Sequence, residues 1–344
     1  MTSSSDSCLK SFSICICGGG SLGTVCAGVF ASKGVTVNLL TGHPSSWSHD
    51  ITVSDCKGNI FSGKINKISS EANDVVPDCD MVLLCVPGYL IEKTLLEIKP
   101  YVSVDTLVGS IVGSTGFFFF AHQIFGNATK LFAFQRVPFI SRYAEYGASA
   151  NLLGYKDRLK VVLENCDLEK TIALLESMFL TPVDLLDNYL EVSLSNSNPI
   201  LHTGRLYAMW KDYKGEIYDK PILFYAEWTD ESSEIVLKMD EEFSKLKKIL
   251  NIPEDSIPSL LDYYEVKNIE EFSRKINSIP AFKGIQSPMK ESEGGWIPDF
   301  NSRYFTEDFP FGLKHIHDLA QKNNLETPVI NQVFEWGLAK CDEN

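Results

Sequence analysis

Two stretches of the chain carry residue types that do chemistry. In the first, Ser195-Asn196-Ser197-Asn198-Pro199 runs into His202. Asn198 and His202 are four apart, so on a helix they share one face. In the second, Arg303 and Asp308 sit among aromatics ahead of another helical pattern. Imidazole exchanges protons near neutral pH, a carboxylate can orient it, and a guanidinium grips a carboxylate through two parallel hydrogen bonds. Together these groups are what chemistry on a keto acid needs. Taken singly, each has a plainer use: His202 as a hydrogen-bonded core residue, Arg303 and Asp308 as a capping or salt-bridge pair.

Near the start, Gly18-Gly19-Gly20-Ser21-Leu22-Gly23 fits the pattern G-x-G-x-x-G. It follows a short apolar run over 13–17 and opens a helix expected over 22–32, the context of a dinucleotide-binding turn. Gly18 allows the tight turn, Gly20 the approach of a pyrophosphate, and Gly23 close packing of helix on strand. The N–H groups at the helix start, Ser21 and Leu22, then face the anion. A site for NAD usually carries an acidic residue about 20 positions on. Residues 39–46 hold none, and Thr41, His43 and Ser45 can instead hydrogen-bond a 2′-phosphate. NADP(H) is the favoured coenzyme, with NAD(H) as the alternative; His43 reads equally well as a surface loop residue. Val86 and Pro87 close what reads as a fourth strand and are expected to line the coenzyme crevice, and Ser114-Thr115-Gly116 is placed similarly.

Positioning these groups takes two domains. The chain has 344 residues, against roughly 100–200 per domain. Up to about residue 181 it alternates short apolar runs (13–17, 35–40, 81–86, 106–111) with helical stretches, the pattern of a parallel sheet with helical crossovers. Long helical patterns follow over 188–213, 231–250, 269–277, 307–323 and 327–340, and Pro199 is expected to kink the first of them. The fold expected is an α/β Rossmann domain with a doubly wound parallel sheet over 1–184, followed by an all-α domain over 185–344.

Charge and composition narrow the partners. There are 31 basic and 45 acidic side chains, a net charge of −14, and no basic stripe, which argues against nucleic acid and against an anionic membrane surface. No apolar run approaches the roughly 20 residues that span a bilayer, and the first residues lack the basic start of a signal peptide. The nine cysteines are odd in number and scattered. They read as reduced, buried thiols of a cytoplasmic protein, not as a metal site. A homodimer is compatible with this reading, although the sequence does not fix the oligomeric state.

The chain resembles the octopine/nopaline (opine) dehydrogenase family. The likeness rests on GGGSLG, on FQRVPFISRYAEYG with GYK after it, on SNPILH and on RYFTEDFPFGL. It implies a Rossmann domain followed by a helical domain of the 6-phosphogluconate dehydrogenase C-terminal kind. It also implies an NAD(P)H-dependent oxidoreductase acting on the CH–NH group, which condenses an amino acid with a 2-oxo acid and reduces the imine. His202 would be the acid/base, Asp308 its partner, Arg303 the carboxylate holder and Asn198 part of the lining. Arg142, in the central motif, would be structural or substrate-facing. One rival is a 2-oxo acid reductase of the ketopantoate reductase type, which usually uses a lysine where this chain has His202. Another is a non-catalytic NAD(P)-binding sensor, which would have no need of the four polar residues of the second domain.

Overall fold

The computed structural model describes residues 9–342, so the reading of residues 1–8 as something other than a signal peptide falls outside it. The chain divides into two compact units, the first ending at Ser193 and the second starting at Leu194.

In the first unit β1 (Ser13–Cys17) leads into helix α1 (Ser21–Ser32) and β2 (Thr36–Leu40). Then follow β3 (Asp50–Asp55), β4 (Ile60–Lys64), β5 (Lys67–Ser69), β6 (Met81–Leu84), α2 (Gly88–Ile98), β7 (Leu107–Ile111) and β8 (Lys130–Phe134). β9 (Phe139–Glu145), β10 (Ser149–Tyr155), β11 (Leu159–Glu164), β12 (Val183–Leu185) and the short helix α3 (Tyr189–Ser193) complete it. Eight strands form one sheet in the order β12-β11-β8-β7-β6-β1-β2-β5. It is parallel except where β11 runs antiparallel to β8. β6 and β7 are buried throughout, as expected of central strands covered on both faces. The strand order reverses between β1 and β6, so the turns leaving their carboxyl ends border the crevice where ligands of such sheets bind.

A second sheet, β4-β3-β10-β9, was not anticipated. It packs on α1, whose Val25, Val29 and Phe30 are wholly buried, each contributing ~1.5–3 kcal/mol of burial free energy. β3 and β4 of this sheet, with β5 of the main sheet, lie between β2 and β6, so the turn carrying Val86 and Pro87 ends the sixth strand of the chain, not the fourth. Phe117 and Phe118 are fully buried core residues. α3 lies in the first unit, packed against the 3-10 turn Gly113–Thr115 and against β11.

The second unit is built on α4 (Asn198–Trp210), α5 (Asp230–Ile249), α6 (Lys314–Lys322) and α7 (Pro328–Asp342). A two-stranded antiparallel hairpin, β13 (Met289–Ser292) with β14 (Gly295–Pro298), is added to the helices. α4 and α5 cross closely at Gly204, where a Cβ would lie 2.7 Å from Val236. The buried Glu242 carboxylate caps α7 by accepting from the N–H groups of Val329 and Ile330 at 3.0 and 2.9 Å, a charge placed where the helix dipole favours it.

The helix expected over 188–213 is interrupted. Residues 194–197 leave helical conformation, and Pro199 falls in the first turn of α4. There its missing N–H costs nothing, so it starts a helix and does not kink one. The pattern over 307–323 is likewise two pieces, a π-helical turn at Phe309–Leu313 and then α6.

Candidate active site

The glycine run leaves β1 at the switch point. Gly18 has φ +114° and its N–H donates to the Leu40 carbonyl at 2.9 Å. A Cβ on Gly23 would lie 2.0 Å from the Gly18 oxygen, whereas one on Gly20 would meet nothing within 4 Å. Gly18 and Gly23 are therefore demanded by the protein's own packing. Gly20 instead faces open space beside the first turn of α1, where N–H groups without intrahelical partners favour an anion.

This turn borders a cavity of about 850 Å³ that also takes in Thr41, His43, Val86 and Pro87, a volume within the range of cofactor sites. The residues present thus fit a dinucleotide. Ser21 and Leu22 open α1, but the Ser21 hydroxyl accepts from the Tyr143 N–H at 3.2 Å and Leu22 packs on the core. Ser45 is exposed, and neither it nor Ser114-Thr115-Gly116 lines the cavity. Sequence reasoning missed Ser70, Glu71, Lys93 and Tyr146 on its wall. Ser70 and Glu71 follow β5, too short a strand to stand out by pattern.

In the helical unit, α4 carries His202, and the start of the π-helical turn carries Asp308. Nδ1 of His202 lies 2.8 Å from Oδ2 of Asp308, with the two side chains 11% and 17% exposed. Nε2 lies 2.8 Å from the Tyr225 hydroxyl. Rings crowd the imidazole: Tyr304 at 4.8 Å between centroids and Phe224 edge-on at 5.4 Å. Burial, and then neighbouring groups including Asp308, push the Tyr225 phenol above its usual range, and Tyr304 is raised by the same two causes. In the neutral ring the carboxylate accepts from Nδ1–H, and the phenol donates to Nε2. That arrangement can store a proton, release it and hold the ring fixed between the two events.

Asn198 sits at the start of α4, one turn before His202, with its N–H donating to the Asn196 side-chain oxygen at 3.1 Å. Arg303 is placed at the surface, its guanidinium bonded to Glu307 through two contacts of 2.9 and 3.0 Å. Arg142 belongs to the first unit, on β9, where it is exposed and bonds the Ser141 carbonyl at 2.9 Å.

Tyr225 was not foreseen, because the stretch over 211–228 offers no readable substrate code. Its one signal is the aromatic cluster Phe224-Tyr225-Ala226-Glu227-Trp228. Arg205, one turn past His202 on α4, fixes that cluster. It is buried and donates to the carbonyls of Phe224 and Glu227 at 3.3 and 2.7 Å, and burial draws its pKa down to about 10. Arg205→Met leaves those carbonyls without their donor, costing about 1–3 kcal/mol. A melting temperature several degrees lower is expected in calorimetry.

Residues 185–341 match the family model for the alpha-helical domain of NAD/NADP octopine/nopaline dehydrogenase. Residues 14–114 match that of ketopantoate reductase PanE/ApbA. An opine dehydrogenase of Haliotis discus hannai is 27% identical, the alignment covering 95% of this chain and 89% of the relative. The structure of octopine dehydrogenase with NADH and L-arginine superposes with a TM-score of 0.82 at 22% identity, over 96% of this chain and 90% of that one. Yersinopine dehydrogenase with NADP+ bound gives 0.70 at 12% identity, over 97% and 92%. At such identities the structural likeness establishes the fold: a Rossmann-type sheet domain followed by a helical domain.

Proposed function

We propose that the chain belongs to the octopine/nopaline dehydrogenase family of NAD(P)-dependent oxidoreductases, whose helical-domain model residues 185–341 match, and that it joins the amine of an amino acid to a 2-oxo acid and reduces the resulting imine. The observation that carries this reading is the 2.8 Å pairing of His202 with Asp308 inside the segment matched to the family's helical domain.

In this reading the glycine turn, Thr41, His43, Val86 and Pro87 hold the coenzyme, which when bound supplies the hydride. His202 is the acid/base. Asp308 fixes its tautomer and stabilises the imidazolium. Arg303 takes a substrate carboxylate in exchange for Glu307. Arg303 is 79% exposed and so open to a ligand, while Glu307, 18% exposed, is the group to be displaced. Asn198 lines the site from the same face as His202. Arg142 is proposed to have a structural part, since its guanidinium is bonded to its own strand. The domain boundary is proposed to lie in residues 184–194.

The test is oxidation of NADPH and of NADH with pyruvate and other 2-oxo acids, each with and without a panel of amino acids that includes L-arginine. Turnover that needs both a keto acid and an amine is the expected result. Reduction of the keto acid alone would instead support the ketopantoate reductase reading, which the match over residues 14–114 favours.

NADP(H) is the preferred coenzyme in this reading. No carboxylate follows β2, and Lys93 supplies a cation on the cavity wall. Glu71 and Glu97, on the same wall, act in the opposite sense. The expected result is a lower Kd for NADPH than for NADH, with Lys93→Ala closing the gap. Equal affinities in the unmodified protein would remove the preference. The cytoplasm is the proposed compartment, in keeping with buried thiols such as Cys15, Cys17 and Cys26. No helix among the described residues is long and apolar enough to cross a membrane.

A further inference from the structure

An acid/base group needs a way out for its proton, and in this site both ring nitrogens of His202 are already engaged. Asp308 occupies Nδ1 and the Tyr225 hydroxyl occupies Nε2, each at 2.8 Å. We infer that Tyr225 is the outlet: its hydroxyl carries the proton between Nε2 of His202 and the substrate oxygen that leaves as water. The inference rests on the reductive-condensation reading of the same site.

The chemical type of the partner is the argument. A hydroxyl both donates and accepts. Beside neutral imidazole, with Nδ1–H given to Asp308, the phenol donates to Nε2. Beside imidazolium, Nε2–H donates to the phenol oxygen, and the phenol's own hydrogen turns outward. A backbone carbonyl at this point would suit only the second state, and an ammonium only the first. Tyr225 is also held still. Its ring stacks on Phe282 at 4.1 Å and on Trp228 at 6.3 Å, and Arg205 bonds the carbonyls of Phe224 and Glu227 on either side of it. Burial keeps the phenol protonated, so it passes one proton on as it takes another and does not rest as phenolate.

The balance closes. The amine nitrogen adds to the keto carbon and the C–O bond breaks. Amine, carbonyl compound and one proton give an iminium ion and water. That proton is the Tyr225 hydroxyl hydrogen, replaced by the one on Nε2 of His202. Hydride addition to the iminium carbon then gives a neutral secondary amine and consumes no further proton. His202 ends neutral, Asp308 stays a carboxylate, and solvent reprotonates the imidazole.

Tyr225→Phe removes only the oxygen. Its rate is measured in single turnovers with reduced coenzyme, pyruvate and the amino acid that supports the fastest reaction, in mixtures of light and heavy water. The expected result is a rate at least about tenfold lower, part of the ~10²–10⁴ that general acid–base catalysis supplies, with coenzyme affinity unchanged. The dependence on deuterium fraction should change from curved, two protons moving together, to linear. A rate near that of the unmodified protein, or the same curvature in both, overturns the inference. His202→Asn is run alongside. If it is slow while Tyr225→Phe is fast, only the role of Tyr225 fails. If both are fast, the reading of the whole site fails.

Discussion

His202→Ala is expected to lower turnover about 10²–10⁴-fold and to leave coenzyme affinity unchanged. The two effects separate because they belong to different units of the chain. The imidazole is held wholly within the helical unit, by Asp308, Tyr225 and the Tyr304 and Phe224 rings, whereas the glycine turn and its cavity belong to the sheet unit. Asp308→Asn should be nearly as damaging despite its almost identical shape. An amide can present its NH₂ to Nδ1, which puts the remaining ring proton on Nε2 and leaves a neutral ring unable to accept there. Since the pair acts as a unit, the double variant should be little slower than His202→Ala alone. Steady-state rates with both substrates, and coenzyme titrations by fluorescence, supply the two readouts. Turnover of His202→Ala close to that of the unmodified protein would remove the imidazole from the chemistry.

How much of this was readable in advance depends on how far apart the cooperating residues lie. The β1–turn–α1 unit was plain, because Ser13–Cys17, the glycine run and the helix after it are consecutive and each follows a local rule. β6 was equally plain as an unbroken apolar run. The pairing of His202 with Asp308 joins residues 106 positions apart. No periodicity encodes such a contact, and it was anticipated through residue chemistry and the family motifs. Tyr225 had neither support, and its role emerges only once Arg205 is seen pinning the backbone around it. The second sheet was invisible for a related reason. β4 reads Ile-Phe-Ser-Gly-Lys, with no clean alternation, and the parallel partner of β3 is β10, far along the chain. The break before α4 could have been read locally. Ser195-Asn196-Ser197 are residues whose side chains compete with helical hydrogen bonding and favour caps, and a proline two places later suits a first turn better than an interior.

The glycine turn yields the second large effect, and two neighbouring positions separate packing from binding. Gly23→Ala puts a methyl group 2.0 Å from the Gly18 carbonyl oxygen, so helix and turn must move apart. The helix has no room to retreat: on its far side a Cβ at Gly28 would already lie 2.5 Å from Val53 of the second sheet. The strain is expected to cost ~1–3 kcal/mol of stability, together with most of the coenzyme affinity. Gly20→Ala differs on both counts. Gly20 has φ −77° and ψ −177°, extended backbone open to alanine, and the added methyl meets no protein atom within 4 Å. Its melting temperature should match that of the unmodified protein. The methyl nevertheless occupies the space through which a pyrophosphate approaches the start of α1. Affinity for NADPH is therefore expected to fall at least about a hundredfold, or ~2.7 kcal/mol. Calorimetric melting and coenzyme titration of the two variants decide the matter. A Gly20→Ala protein that binds coenzyme normally would mean that the diphosphate does not lie against this turn, and that Gly18 and Gly23 serve the fold alone.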